Sequence, residues 1–159
     1  MIEIKTYAPV LIPTLNRYEH LKRCVESLSR CTHADKTEIV IGLDYPPSEK
    51  YMEGYIKIKE DLPQIAGFGK VTLFYREKNY GSSGNSKLLR EYVESKYNCF
   101  ICIEDDCVVA PAFLDYMNKA LERYKNEEKV TSVSGYLPIC SYGLSDSIVF
   151  SWCVYSWGI

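Results

Sequence analysis

Apolar residues along this chain follow two spacings. Unbroken runs at Val10-Leu11-Ile12, at Ile39-Val40-Ile41 with Leu43, at residues 71–75 and at residues 99–103 read as strands buried on both faces. Between the runs, apolar positions recur every three or four residues, the period of an amphipathic helix. Leu21, Cys24, Val25, Leu28 and Cys31 mark the first such face, and Tyr51, Tyr55, Ile58 and Leu62 the second. Leu88, Leu89, Tyr92 and Val93 mark the third, and Phe113, Leu114, Met117, Leu121 and Tyr124 the fourth. Breakers stand where one spacing gives way to the other: Pro13, Pro46-Pro47-Ser48, Gly67 and Gly69. Asn16 with Glu19 three residues on predicts a capping box at the first helix. Pro111 is expected at the first position of the fourth. A fifth strand is expected at residues 130–133. Residues 136–159, rich in aromatics and serine, receive no assignment.

Strand and helix alternate four times, which predicts an α/β fold, a parallel sheet with helices on both faces. In such sheets ligands bind outside the carboxyl ends of the strands. The polar segments fall there. Pro13-Thr14-Leu15-Asn16-Arg17 follows the first strand, Asp44 the second, residues 76–81 the third and Glu104-Asp105-Asp106 the fourth. One crevice should collect all four.

Composition narrows the function classes. With 159 residues, 47% of them hydrophobic and 25% charged, the chain is one globular domain. A net charge of −2 and the lack of a basic run argue against nucleic acid as a partner. No apolar run is long enough to predict a transmembrane segment, and Met1 leads into a strand-like run without a signal-peptide pattern. Seven cysteines, an odd number lying mostly on apolar faces, predict reduced thiols and a cytoplasmic protein. Cys99-x-x-Cys102 has no second pair at zinc spacing.

The acidic triplet is the strongest chemical signal. Three successive carboxylates at the end of a buried strand repel one another and are costly to desolvate. A hard divalent cation, Mn²⁺ or Mg²⁺, would resolve that conflict; a solvated turn at the start of the next helix is the plain alternative. Strand alternation would put Glu104 and Asp106 on one side and Asp105 on the other, with Asp106 the direct metal ligand. The segment from Asn79 through Gly81 to Lys87 is polar and glycine-containing and could approach a phosphate closely. It has neither Walker nor GxGxxG spacing.

Taken together, these motifs resemble a GT-A-fold glycosyltransferase of the family 2 type over roughly residues 8–136, by the run Val10 to Arg17, Asp44, Asn79-x-Gly81 and Glu104-Asp105-Asp106. The triplet followed by Val108-Val109-Ala110-Pro111-x-Phe113 also resembles the N-acetylglucosaminyltransferase I group. The resemblance implies a Rossmann-like α/β/α sandwich over residues 1–159, serving as one nucleotide-sugar-binding domain. It assigns Pro13, Thr14 and Arg17 to the nucleotide pocket and Asp44 to the base. It matches Asn79 and Gly81 to the third-strand loop, and assigns Glu104 and Asp105 to the ribose or donor sugar and Asp106 to the metal; Lys87, beyond that loop, could add positive charge toward a bound anion. It implies metal-dependent, inverting transfer from a nucleotide-diphosphate sugar, a UDP-sugar being favoured, to a glycan or other hydroxyl acceptor. Tyr45-Pro46-Pro47 departs from the family, which often has a second acid and a serine there. No residue is assigned as catalytic base. Asp146 is the only carboxylate after Glu128, so we expect the natural protein to continue beyond Ile159, with the inner face of a membrane an alternative location for the longer chain. Two other readings are a non-catalytic nucleotide- or carbohydrate-binding module and a sugar-nucleotide pyrophosphorylase. The second would want a glycine-rich loop after the first strand, and residues 13–17 contain no glycine.

Overall fold

A computed structural model describes residues 6–135. Cys140, Asp146 and Cys153 therefore lie outside the described residues. Four strands, β1 (Val10–Thr14), β2 (Glu38–Leu43), β3 (Lys70–Tyr75) and β4 (Ile101–Cys102), form one sheet in the order β3-β2-β1-β4. All three pairings are parallel. The helices are α1 (Tyr18–Ser29), α2 (Met52–Asp61), α3 (Gly81–Glu94) and α4 (Phe113–Tyr124).

Side chains alternate across a strand, and that alternation builds two unequal cores. Val10, Ile12, Ile39, Ile41, Leu43, Ile101 and Ile103 face α1, α2 and α4, meeting Leu21, Cys24, Leu28, Ile58, Leu114 and Met117. Leu11 and Val40 face the other way and meet Leu89 and Val93 of α3. The result is the expected three-layer sandwich. No helix among the described residues is long and apolar enough to cross a membrane.

The register aligns the strand ends. Thr14 pairs with Leu43, and Leu43 with Tyr75. The ladder runs on past them, with Asp44 N donating to Thr14 O at 2.9 Å, Arg76 N to Leu43 O at 3.0 Å and Ile103 N to Leu11 O at 3.1 Å. Asp44, Arg76 and the acidic triplet therefore leave the sheet side by side.

Several expectations are corrected. The capping box at Asn16 does not form: α1 follows Arg17 without a side-chain cap, and Tyr18 N bonds the Asn16 carbonyl at 3.0 Å. Asn16 is held otherwise, with its backbone against α2 so closely that a Cβ on Gly54 would come within 2.0 Å of Asn16 O. The run at residues 99–103 yields a two-residue strand, and Cys99 is exposed. Pro111 lies in a turn before α4 and spends its carbonyl on Thr32 N at 3.0 Å. Residues 130–133 form no strand, and Val130 N instead closes a turn on Glu127 O at 2.9 Å. The polar segment at residues 79–86 is a loop only up to Tyr80 and is helical from Gly81. The five described cysteines, Cys24, Cys31, Cys99, Cys102 and Cys107, are free thiols.

At the opposite edge of the sheet, buried Glu38 accepts hydrogen bonds from Thr72 Oγ1 at 2.6 Å, Tyr97 OH at 2.5 Å and Lys70 Nζ at 2.9 Å. Burial alone would raise its pKa, but these donors outweigh burial and hold the carboxyl below the ordinary range. Two predictions follow from these contacts. Gly54→Ala forces a methyl into Asn16 O and should destabilise the fold by about 1–3 kcal/mol in urea denaturation, typical of overpacking. The stability contributed by ionised Glu38 is fully present above the unfolded carboxyl pKa of about 4.3 and is lost as pH falls through the lower folded value. Acidification from neutral pH should thus cost wild type more stability than Glu38→Gln, and parallel denaturation midpoints for the two down to pH 3 would contradict this.

Candidate functional site

Thr14 ends β1, and Arg17 stands at the entry to α1. A turn begins directly after Ile103 and carries the acidic triplet, closed by Cys107 N donating to Glu104 O at 3.2 Å. This turn breaks strand alternation, so the expected pairing of Glu104 with Asp106 on one side is not what forms. Asp105 and Asp106 turn inward together, and Glu104 is exposed. Thr14 Oγ1 donates to Asp105 Oδ2 at 2.7 Å. Arg17 Nη2 donates to Asp105 Oδ1, and Arg17 Nη1 to Asp106 Oδ2 at 2.8 Å. One guanidinium fork thus spans two neighbouring carboxylates, of which Asp105 is only 3% exposed. Partial burial works against the charge on Arg17, but the two carboxylates outweigh it and hold the guanidinium more firmly protonated than usual.

Asp44 organises the next loop. It is 4% exposed. Its Oδ1 accepts from Tyr45 N at 3.0 Å and Tyr80 N at 2.9 Å, and its Oδ2 from Asn79 Nδ2 at 3.3 Å. Asn79 Nδ2 also bonds Tyr45 O at 2.6 Å. Gly81 then enters α3 at φ 72°, a left-handed conformation that favours glycine. The rings of Tyr45, Tyr75 and Tyr80 are exposed around this loop. Pro13 is half-buried in β1. Lys87 is not drawn into the site: its side chain is 76% exposed and pairs with Glu91 at 3.8 Å.

Two residues at this edge lay within segments marked by the sequence but were not singled out as site residues. Asn85 donates to Gly42 O at 2.7 Å and accepts from Arg76 Nε at 3.0 Å. Asn85, Leu89 and Val93 share the buried stripe of α3, so an amide at a core position was the available signal. Arg76 lies over the Phe74 ring, with desolvation pulling its pKa down and Asp44 opposing that.

Among the described residues, Arg76 Nη2 and Asp106 Oδ1 are buried side-chain atoms without a hydrogen-bond partner. No group of three or more His, Cys, Asp or Glu among the described residues could hold a metal. A cation here would take one carboxylate from the protein and its other ligands from phosphate and water, a common arrangement for Mg²⁺. Asp106 Oδ1 fits that role. A broad groove lined by Tyr7, Cys99, Asn118 and Val130 touches neither Asp44 nor the acidic triplet.

Comparison with known families matches residues 10–134 to Glycosyl transferase family 2. Comparison with curated proteins finds no match. Among solved structures, S. aureus TarS 1–349 in complex with UDP-GlcNAc superposes with a TM-score of 0.55 at 13% identity, covering 76% of this chain and 32% of that one. TarS 1–349 without that ligand gives 0.53 at 15% identity, over 76% and 33% of the two chains. The longer S. aureus TarS gives 0.51 at 14%, over 76% and 20%. The chain thus spans about a third or less of the length of these structures, and at such identity the likeness is one of fold.

The geometry around Asp44 carries a third prediction. Asp44→Asn replaces one accepting oxygen by an amide that cannot accept from Tyr80 N or Asn79, and should cost about 1–3 kcal/mol. Lys87→Ala, on the solvent face of α3, should stay within about 0.5 kcal/mol. Equal destabilisation of the two in urea would refute the organising role of Asp44.

Proposed function

The chain belongs to glycosyl transferase family 2, and on that premise we propose that it is the donor-binding domain of an enzyme that moves a sugar from a nucleotide-diphosphate sugar to a hydroxyl acceptor. The observation that carries this reading is the convergence of Thr14, Arg17, Asp105 and Asp106 at the carboxyl edge of the sheet, with Asp106 Oδ1 left unpartnered. The structures of TarS with UDP-GlcNAc and with UDP support a uridine nucleotide as the donor's handle.

In this reading Pro13, Thr14 and Arg17 border the nucleotide; Asp44, expected to bond the base itself, has its oxygens on Tyr45 N, Tyr80 N and Asn79 and instead holds the loop of Asn79 and Gly81 that faces the base. The exposed rings of Tyr45, Tyr75 and Tyr80 offer it apolar faces. Glu104 and Asp105 face the ribose or the donor sugar. Asp106 holds Mn²⁺ or Mg²⁺, which when bound would supply Lewis-acid stabilisation of the departing diphosphate. Transfer proceeds with inversion. We assign deprotonation of the acceptor hydroxyl to a carboxylate outside the described residues, and a cytoplasmic location to the domain, in keeping with the free thiols.

The test is thermal unfolding against a panel of nucleoside diphosphates and nucleotide sugars, with and without Mn²⁺. At a ligand concentration of 100 Kd, binding adds about 2.7 kcal/mol, a rise of several degrees in Tm. UDP with Mn²⁺ should produce that rise. Asp106→Asn should remove the Mn²⁺-dependent part, while the free protein loses only one partly exposed ion pair with Arg17, about 1 kcal/mol or less. Full Mn²⁺-dependent stabilisation in Asp106→Asn would take the metal role from this residue, and a protein unmoved by every nucleotide would rule out the donor-binding reading.

A further inference from the structure

We propose that Arg17 is the resident counter-cation of the acidic pair, holding Asp105 and Asp106 while the site is free and passing to the diphosphate when donor and metal bind. This rests on the donor-binding reading above and assigns to Arg17 a competition with the metal.

The two carboxylates are unequally anchored. Asp105 is buried and has a second partner in Thr14 at 2.7 Å, so it keeps a hydrogen bond when Arg17 departs. Asp106 has Arg17 Nη1 on Oδ2 and nothing on Oδ1. When Arg17 leaves, both oxygens of Asp106 become available to a hard cation, while Asp105 stays oriented. Arg17 is free to move: it stands at the entry to α1 outside the strand ladder, on a long side chain that is 46% exposed.

Charge makes the two cations exclude each other. A guanidinium on Asp106 Oδ2 and a divalent ion on the same carboxylate repel at a few ångströms, where the Coulomb term is large in a partly buried site. A metal ion arriving alone must therefore displace Arg17 into water. A nucleoside diphosphate changes the balance, because its oxygens accept the same planar fork that the carboxylates accept. Arg17 exchanges two carboxylate oxygens for two phosphate oxygens, so its own charge stays paired, while Asp105 keeps the hydrogen bond from Thr14. Metal and nucleotide then strengthen each other's binding, and by linkage the effect is reciprocal.

The experiment measures Mn²⁺ binding to the full chain by electron paramagnetic resonance of the free ion, with and without UDP, for wild type, Arg17→Gln and Arg17→Lys. Arg17→Gln should bind Mn²⁺ alone about tenfold more tightly than wild type and bind UDP in the presence of Mn²⁺ about tenfold more weakly, within the usual range of coupling between sites. A residue that merely supported the fold would weaken both. Arg17→Lys, a point charge unable to span both carboxylates, should show the same two signs at smaller size, and it carries the test if Arg17→Gln does not fold. Unchanged or weaker Mn²⁺ binding without UDP in the folded variants would overturn the proposal while leaving the donor-binding reading intact. A wild type that binds neither Mn²⁺ nor UDP, alone or together, would overturn both.

Discussion

Everything at the functional edge depends on the burial of β1 between two parallel neighbours. Its residues Val10, Leu11 and Ile12 are almost wholly shielded from solvent, so its peptide groups have no water to bond and must be satisfied by β2 and β4. Parallel pairing then leaves no freedom about where the connections emerge. Each strand ends at the same edge, and the residue that follows it is set down beside its neighbour. The meeting of Thr14, Arg17, Asp44, Arg76, Asp105 and Asp106 is a consequence of that backbone requirement before any side chain is considered.

Gathering carboxylates at one edge raises an electrostatic difficulty, and two solutions appear within a few residues. Asp44 is neutralised by dipoles: its oxygens take backbone N–H groups of the neighbouring loop and the amide of Asn79. Asp105 and Asp106 are neutralised by a full charge on Arg17. The first arrangement suits a permanent fastening, since peptide groups cannot leave. The second is exchangeable, since a side chain can. The division matches a site with a fixed wall and a working anion pair.

The fold was largely legible from periodicity because each strand and helix of the core obeys its own spacing. Ile39 to Leu43 and the Leu21–Leu28 face could hardly be read otherwise. Failures came where short-range geometry outranked pattern. Asn16 and Glu19 had the right spacing for a cap, but the backbone at Asn16 packs against Gly54. Strand alternation misplaced the triplet because the turn begins at its first residues. The acidic motif itself was visible from composition alone, whereas Arg17 as its partner depends on contacts across 88 and 89 positions of chain. Lys87 was drawn in by charge and proximity in sequence, but the helical phase turns it to solvent. Asn85 went unnoticed because a core register is expected to be apolar.

The two faces of the sheet are unequally fastened, and this bears on how the molecule breathes. The face of α1, α2 and α4 shares a continuous apolar core, whereas α3 closes a smaller one of Leu11, Val40, Leu89 and Val93, with Phe74, Tyr92 and Phe100 packed around it and Asn85 bonded to Gly42. Because α3 closes this smaller core as one unit, its turns open together. Its amino end is also tied to Asp44 through Tyr80, at the edge where the site lies. Occupancy of the site should therefore register along α3, as slower amide exchange in turns that touch no ligand.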